Sequence, residues 1–220
     1  MHIGNPTFAS TKKQSMKARS TSDLLKALTE RTEENLRIAE TFLALPSETL
    51  HRRPRQNEVR GVIPTSGSGT RRPRPNAWNA LECLAHLNYY SNYYLPEIRK
   101  QVENTKYKGA QPTFTSSWLG NKFAAGMKPG EKMRKISTPK GANPKNFPHP
   151  VTNAALPEFI AYQKETLELL KLAEGVDLTR TKTGTSLTEL IRLRLGDTLR
   201  VVIYHNWRHI EQAQRAVVRS

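Results

Sequence analysis

A single cysteine, Cys83, stands in 220 residues, so no internal disulfide can form and the stapled framework of a small secreted domain is excluded. No apolar run approaches the ~18 residues that a membrane helix needs. The opening MHIGNPTFASTKKQSMKARS has no apolar stretch of the secretory type. These absences predict a protein of the reducing cytoplasm with no membrane partner. Hydrophobic residues make up only 36% of the chain, which suffices for a core when they are gathered in periodic stretches. At this length one domain with long surface connections is the economical arrangement.

Acidic groups are also scarce, 19 Asp and Glu against 35 Lys and Arg, for a formal charge of +16. The shortage is local. Residues 1–20, 51–74 and 104–152 together carry 20 basic and two acidic groups, whereas the remainder carries 15 basic and 17 acidic. The near-neutral remainder contains the stretches with helical periodicity, so the basicity belongs to a tail and to loops. No nucleic-acid reader motif accompanies it, and no specific nucleic-acid partner is expected. Residues 1–20 read as a disordered basic tail. Arg-Arg-Pro-Arg occurs at Arg52–Arg55 and again at Arg71–Arg74, around a Gly, Ser, Thr and Pro-rich stretch, and residues 53–71 read as a flexible insertion.

Four helical stretches stand out in residues 21–220. The first follows Ser22 or Asp23 as N-cap, steps through Leu25, Leu28, Thr32, Leu36 and Ala39, and ends before Pro46. The second begins after Pro75 with Asn76 as cap and carries Trp78, Leu81, Leu84 and Ala85, with Pro96 expected to bend or interrupt it. The third follows Asn153 and stops at Gly175. The fourth starts after Gly196 with Asp197 as cap and runs nearly to the C-terminus. Ser186–Glu189 has capping-box spacing and predicts a short helical piece before it. Residues 104–152 form a long crossover between helices two and three, with short helical turns expected around Trp118–Ala125. The fold class is an all-α four-helix bundle.

His205 and His209 lie four apart in YHNWRHIEQ, which places them on one helical face, one turn above the other. The metalloprotease pattern needs a glutamate directly after the first histidine, and that position is Asn206. His86, in the middle of helix two, is the best third ligand. Spacing alone also fits ordinary buried histidines satisfied by backbone or tyrosine partners. Glu82 and Tyr89, beside His86 at helical spacing, and Gln212, three after His209, are candidate outer-shell partners of the imidazoles. Cys83 is a candidate fourth ligand or thiol, against the commoner role of a small buried residue.

WNALECLAHL with YLPEI after it, the final YHNWRHIEQAQR, and the crossover ending in KISTPK resemble the DinB-like superfamily of metalloenzymes over about residues 21–218, apart from the insertion. By position, the resemblance implies that His86, His205 and His209 are the ligands of one divalent metal, zinc or nickel. It further implies a homodimer and a small-molecule substrate. Thiol S-transfer using a low-molecular-weight thiol is the expected reaction class, with hydrolysis beside it, because an open position on such a metal activates either a thiol or a water. The alternatives are a non-catalytic, metal-stabilised interaction protein and a basic nucleic-acid-binding module.

Overall fold

The computed structural model describes residues 18–54, 77–130 and 137–218. Most of the basic tail and of the insertion, the second Arg-Arg-Pro-Arg and Asn76 lie outside the described residues. Strand β1, Arg19–Ser20, leads directly into α1, Thr21–Thr41, whose first turn is capped by the Ser20 hydroxyl accepting from the Asp23 amide. The cap is thus two residues before Ser22 and three before Asp23, the two positions expected. A single 3-10 turn, Phe42–Ala44, and Pro46 end α1, and a short α2, Ser47–His51, follows.

Helix α3, Ala80–Asn104, starts at a full capping box on Asn79, three residues after the Asn76 cap expected. The Asn79 side chain accepts from the Glu82 amide, and the Glu82 carboxylate accepts from the Asn79 amide. Pro96 sits inside α3 without interrupting it, contrary to one of the two outcomes expected from its missing N–H. Strand β2, Thr113–Phe114, pairs antiparallel with β1, and α4, Trp118–Met127, falls where helical turns were anticipated. Two 3-10 turns, Lys140–Ala142 and Pro144–Asn146, complete the described crossover before α5, Ala155–Ala173.

The connection from α5 to the last helix corrects the sequence reading. Residues 182–194 form a hairpin, β3 Lys182–Thr185 with β4 Thr188–Arg194, and not a helical piece. Threonines at 181, 183, 185 and 188 favour extended backbone. Beyond the turn the burial alternates, with Leu190 and Arg192 outward and Leu193 and Leu195 inward. Helix α6, Leu195–Val218, then begins two residues before the expected cap, and Asp197 lies within its first turn. Gly196 lies in the first turn of α6 against Phe114, and a Cβ there would come within 2.6 Å of the ring, so the close approach needs glycine.

The bundle order follows from the packing: α1 and α3 each lie against both α5 and α6. Thr21 N donates to Pro112 O, Lys108 bridges to Val176, and Leu195 N donates to Thr181 O. These bonds gather the start of α1, the ends of α3 and α5 and the start of α6 at one end of the bundle. Helices α3 and α5 therefore run parallel, antiparallel to α1 and α6. Two apolar clusters fill the interior, one around Leu28, Leu95, Leu170 and Ile203, the other around Phe42, Leu84, Phe159 and Ile210. In each of the four bundle helices the positions between them are polar and buried: Thr32 and Asn35 in α1, Asn88 and Ser91 in α3, Gln163 and Thr166 in α5, Asn206 in α6. The bundle has a polar waist. No described helix is long and apolar enough to cross a membrane.

Candidate metal centre

The histidines meet at this waist. Antiparallel packing of α3 on α6 sets His86 opposite the His205–His209 face, and the three rings form a near-equilateral triangle with centroids 4.7, 4.8 and 5.0 Å apart. One ligand nitrogen from each ring lies within 4.8 Å of the others, and His86 Nε2 is 3.1 Å from His205 Nε2. Nitrogens about 3 Å apart match neighbouring ligands around an ion at about 2 Å.

The outward ring nitrogens decide what faces inward. His86 Nδ1 is 2.7 Å from the Ala142 carbonyl, an acceptor only, so it carries the proton there and Nε2 is a bare lone pair. His209 Nδ1 lies 3.0 Å from Gln212 Oε1, which sets the same tautomer. Protons are poorly tolerated on the inner side. Burial, partly countered by the Ala142 bond, lowers the His86 pKa to about 4. Burial first, then the charge of His86, lowers His209 to about 3. His205 lies well below the usual imidazole range, through burial, His209, His86 and Arg208 in that order. The inner nitrogens of His86 and His209 are thus lone pairs, and with His205 they make a group of three neutral imidazoles that suits a cation at its centre.

The expected outer partners are distributed differently. Gln212 lies beside the outer nitrogen of His209. Glu82 does not orient His86: both its oxygens are committed to the cap and to Arg53, which donates to them at 2.6 and 3.0 Å and to the Ala77 carbonyl. Tyr89 points outward, half exposed, and stacks on Phe147, while Tyr90 packs edge-on at 5.1 Å from His86 and 5.0 Å from His205. Trp78 closes the opposite side, 4.8 Å from His86 and 5.7 Å from His209. Cys83 is fully buried in an apolar cluster, with burial pushing its thiol far above the usual range, and it is not one of the three converging residues. The Ala142 carbonyl was invisible to sequence reasoning because only the folded crossover brings it to α3.

A cavity of about 900 Å³ opens over the imidazoles, bounded by α3, α4, α6, the crossover and the hairpin tip. Its walls are mostly apolar, with Phe123, Met127, Leu193, Val201 and Val202 among them. Helix α4 is fixed to α6 by a buried polar knot. Asp197 accepts from the Ser117 amide at 2.9 Å and from Ser116, and Arg200 reaches Asp197, Ser116 and Asn121. A Cβ on Gly120 would collide with the Asp197 carboxylate, so glycine is needed for this close approach.

A family model described as DinB superfamily matches residues 19–213. The chain belongs to the DinB superfamily. No curated protein and no solved structure gives a match. The superfamily match takes in α1 to α5, most of α6 and all three histidines, so the three imidazoles sit inside the matched region.

Proposed function

We propose that this DinB protein is a metal-dependent enzyme acting on a small molecule, with thiol S-transfer as the favoured reaction and hydrolysis as its neighbour. One observation carries the reading: three neutral imidazoles each bring a ring nitrogen within 4.8 Å of the others at the wall of a large, mostly apolar cavity. His86, His205 and His209 would hold the ion, zinc or nickel by ligand type. A divalent ion there supplies Lewis acidity, which acidifies a thiol or a water at neutral pH.

The protein's own groups do the rest. Ala142 and Gln212 hold two imidazoles in the ligating tautomer through their Nδ1 hydrogens. Trp78 and Tyr90 flank the rings and keep water from their sides. Burial raises the Tyr90 phenol, so it retains its proton and lines the cavity as a donor. The apolar walls exclude water from the reacting end of a bound molecule and strengthen every polar interaction there.

Elemental analysis of untagged protein purified without chelator tests the metal. Near one equivalent is expected in the parent and none in His86→Ala or His205→Ala. Thiol-conjugation and ester-hydrolysis assays on the loaded protein then separate the two reaction classes. Parent protein that takes up no divalent metal under any loading condition overturns the proposal.

A further inference from the structure

Tyr90 stands against two of the three histidines with its polar end unused. Its ring packs edge-on at 5.1 Å from His86, 5.0 Å from His205 and 5.5 Å from Tyr89, and stacks on Tyr94 at 6.4 Å. Four neighbouring rings therefore fix its orientation, and with it the position of the phenol oxygen. Among the described residues the hydroxyl has no hydrogen-bond partner, and it is not sealed in the interior. Tyr90 lines the cavity. Other hydroxyls of the same wall are committed to holding the hairpin tip. Tyr94 bonds to the Ser186 hydroxyl and accepts from its amide, both at 3.2 Å, and Thr185 donates to the Thr188 carbonyl.

The opposite wall has another character. Leu193 and Val201 pack with Ala124 in a small apolar cluster of their own, on which Phe123 and Met127 lean. Phe123, Met127, Leu193 and Val201 all line the cavity, whose volume of about 900 Å³ lies in the range that encloses a small organic molecule. An apolar body laid on this wall gains in proportion to the surface it removes from water. The same body strips water from the Tyr90 hydroxyl, and a donor desolvated without an acceptor is costly. A molecule that brings its own acceptor to that point satisfies both walls.

We infer that the cavity selects apolar molecules carrying a hydrogen-bond acceptor, a carbonyl oxygen being the simplest, which the Tyr90 hydroxyl binds while the apolar body lies against Phe123, Met127 and Val201. The inference rests on the cavity being the substrate site proposed above, and it names the substrate class and the residue that recognises it.

Two neutral probes of one shape separate the acceptor from the apolar body: 2-acetylnaphthalene, a ketone, and 2-isopropenylnaphthalene, in which a methylene group replaces the carbonyl oxygen. Affinities are read by displacement of fluorescent N-phenyl-1-naphthylamine from the full chain, as purified and after chelation, with the metal content of each preparation measured in parallel. Tyr90→Phe is expected to weaken the ketone about fivefold and to leave the alkene unchanged. Tyr89→Phe removes a hydroxyl from the adjacent, half-exposed ring outside the cavity lining and should change neither probe. Phe123→Ala should weaken both probes alike, by about fivefold or more. With a carbon-13 label in the carbonyl, infrared difference spectra of the bound ketone should show a lower stretching frequency in the parent than in Tyr90→Phe, a readout that altered packing alone would not move.

The same ratio of ketone to alkene affinity in Tyr90→Phe as in the parent, a carbonyl stretch that the substitution leaves in place, or an equal effect of Tyr89→Phe overturns the inference. Phe123→Ala binding both probes as the parent does overturns the placement of the apolar body. Because Tyr90→Phe keeps the ring and its packing, matched circular dichroism spectra are expected and the carbonyl shift is read on folded protein. Metal-loaded protein without a Tyr90-dependent preference sinks the substrate class and spares the metal; that preference in a protein that takes up no metal does the reverse.

Discussion

At the scale of single residues, the site depends on which nitrogen of each ring is protonated. Unfolded imidazoles titrate near 6.5, whereas in the folded protein His86 falls to about 4 and His209 to about 3. As pH drops below 6.5 the unfolded chain takes up protons that the folded chain refuses, so metal-free stability is lost between pH 6.5 and about 4 and is flat in these groups above that window. Each imidazole adds a slope approaching 1.4 kcal/mol per pH unit. Urea denaturation of metal-free protein at several pH values should show this loss, and His86→Gln with His209→Gln should flatten it. Arg53 offers a second test. Its bidentate bond keeps the nearly buried Glu82 carboxylate satisfied at the start of α3. Arg53→Ala should cost about 2 kcal/mol of unfolding free energy, the scale of hydrogen bonds to charged groups. A denaturation midpoint unchanged in Arg53→Ala would show that the cap stands without it.

At the scale of elements, the knot between α4 and α6 predicts that Gly120→Ala destabilises the fold by about 1–3 kcal/mol, since the added methyl meets the Asp197 carboxylate in a packed interface. It should also shift α4, which a changed affinity for cavity-binding dyes would report. The legibility of the chain follows the same division between local and long-range signals. The bundle helices were readable because leucines at three- and four-residue steps carry a local signal, as at Leu25 and Leu28 or Leu167 and Leu170. The α4 helix was anticipated as short turns around Trp118–Ala125 from the length of the crossover, and its Ser117 cap appears only in the structure. The hairpin was misread because the Ser186 to Glu189 spacing mimics a capping box, while the alternation of Leu193 and Leu195 occupies too few residues to outweigh it. His205 and His209 were a visible pair and His86 a reasoned partner. Glu82 was misassigned because its side chain serves its own helix end, and Tyr89 because a quarter turn of α3 separates it from the tyrosine that touches the rings.

For the whole molecule, the polar waist is a cost spread over all four bundle helices. Both amide atoms of Asn35 and of Gln163 are buried without a protein partner among the described residues. Groups of this kind cost about 1–3 kcal/mol each when unsatisfied. Asn35→Leu with Gln163→Met should therefore raise the unfolding free energy, and a lower melting temperature in that variant would mean the amides are well satisfied where they lie. The waist also fixes what a bound ion would do to the chain. His86 and His205 are 119 positions apart, on helices separated by the crossover, α5 and the hairpin. An ion shared by them ties those distant points into a single closed loop. By the entropy of such closures, a link across about 100 residues restrains the unfolded chain by about 4.7 kcal/mol. In a protein whose lone thiol has no internal partner, the histidine triangle would thus take the role that a long-range disulfide plays elsewhere, made or broken by metal supply and not by oxidation.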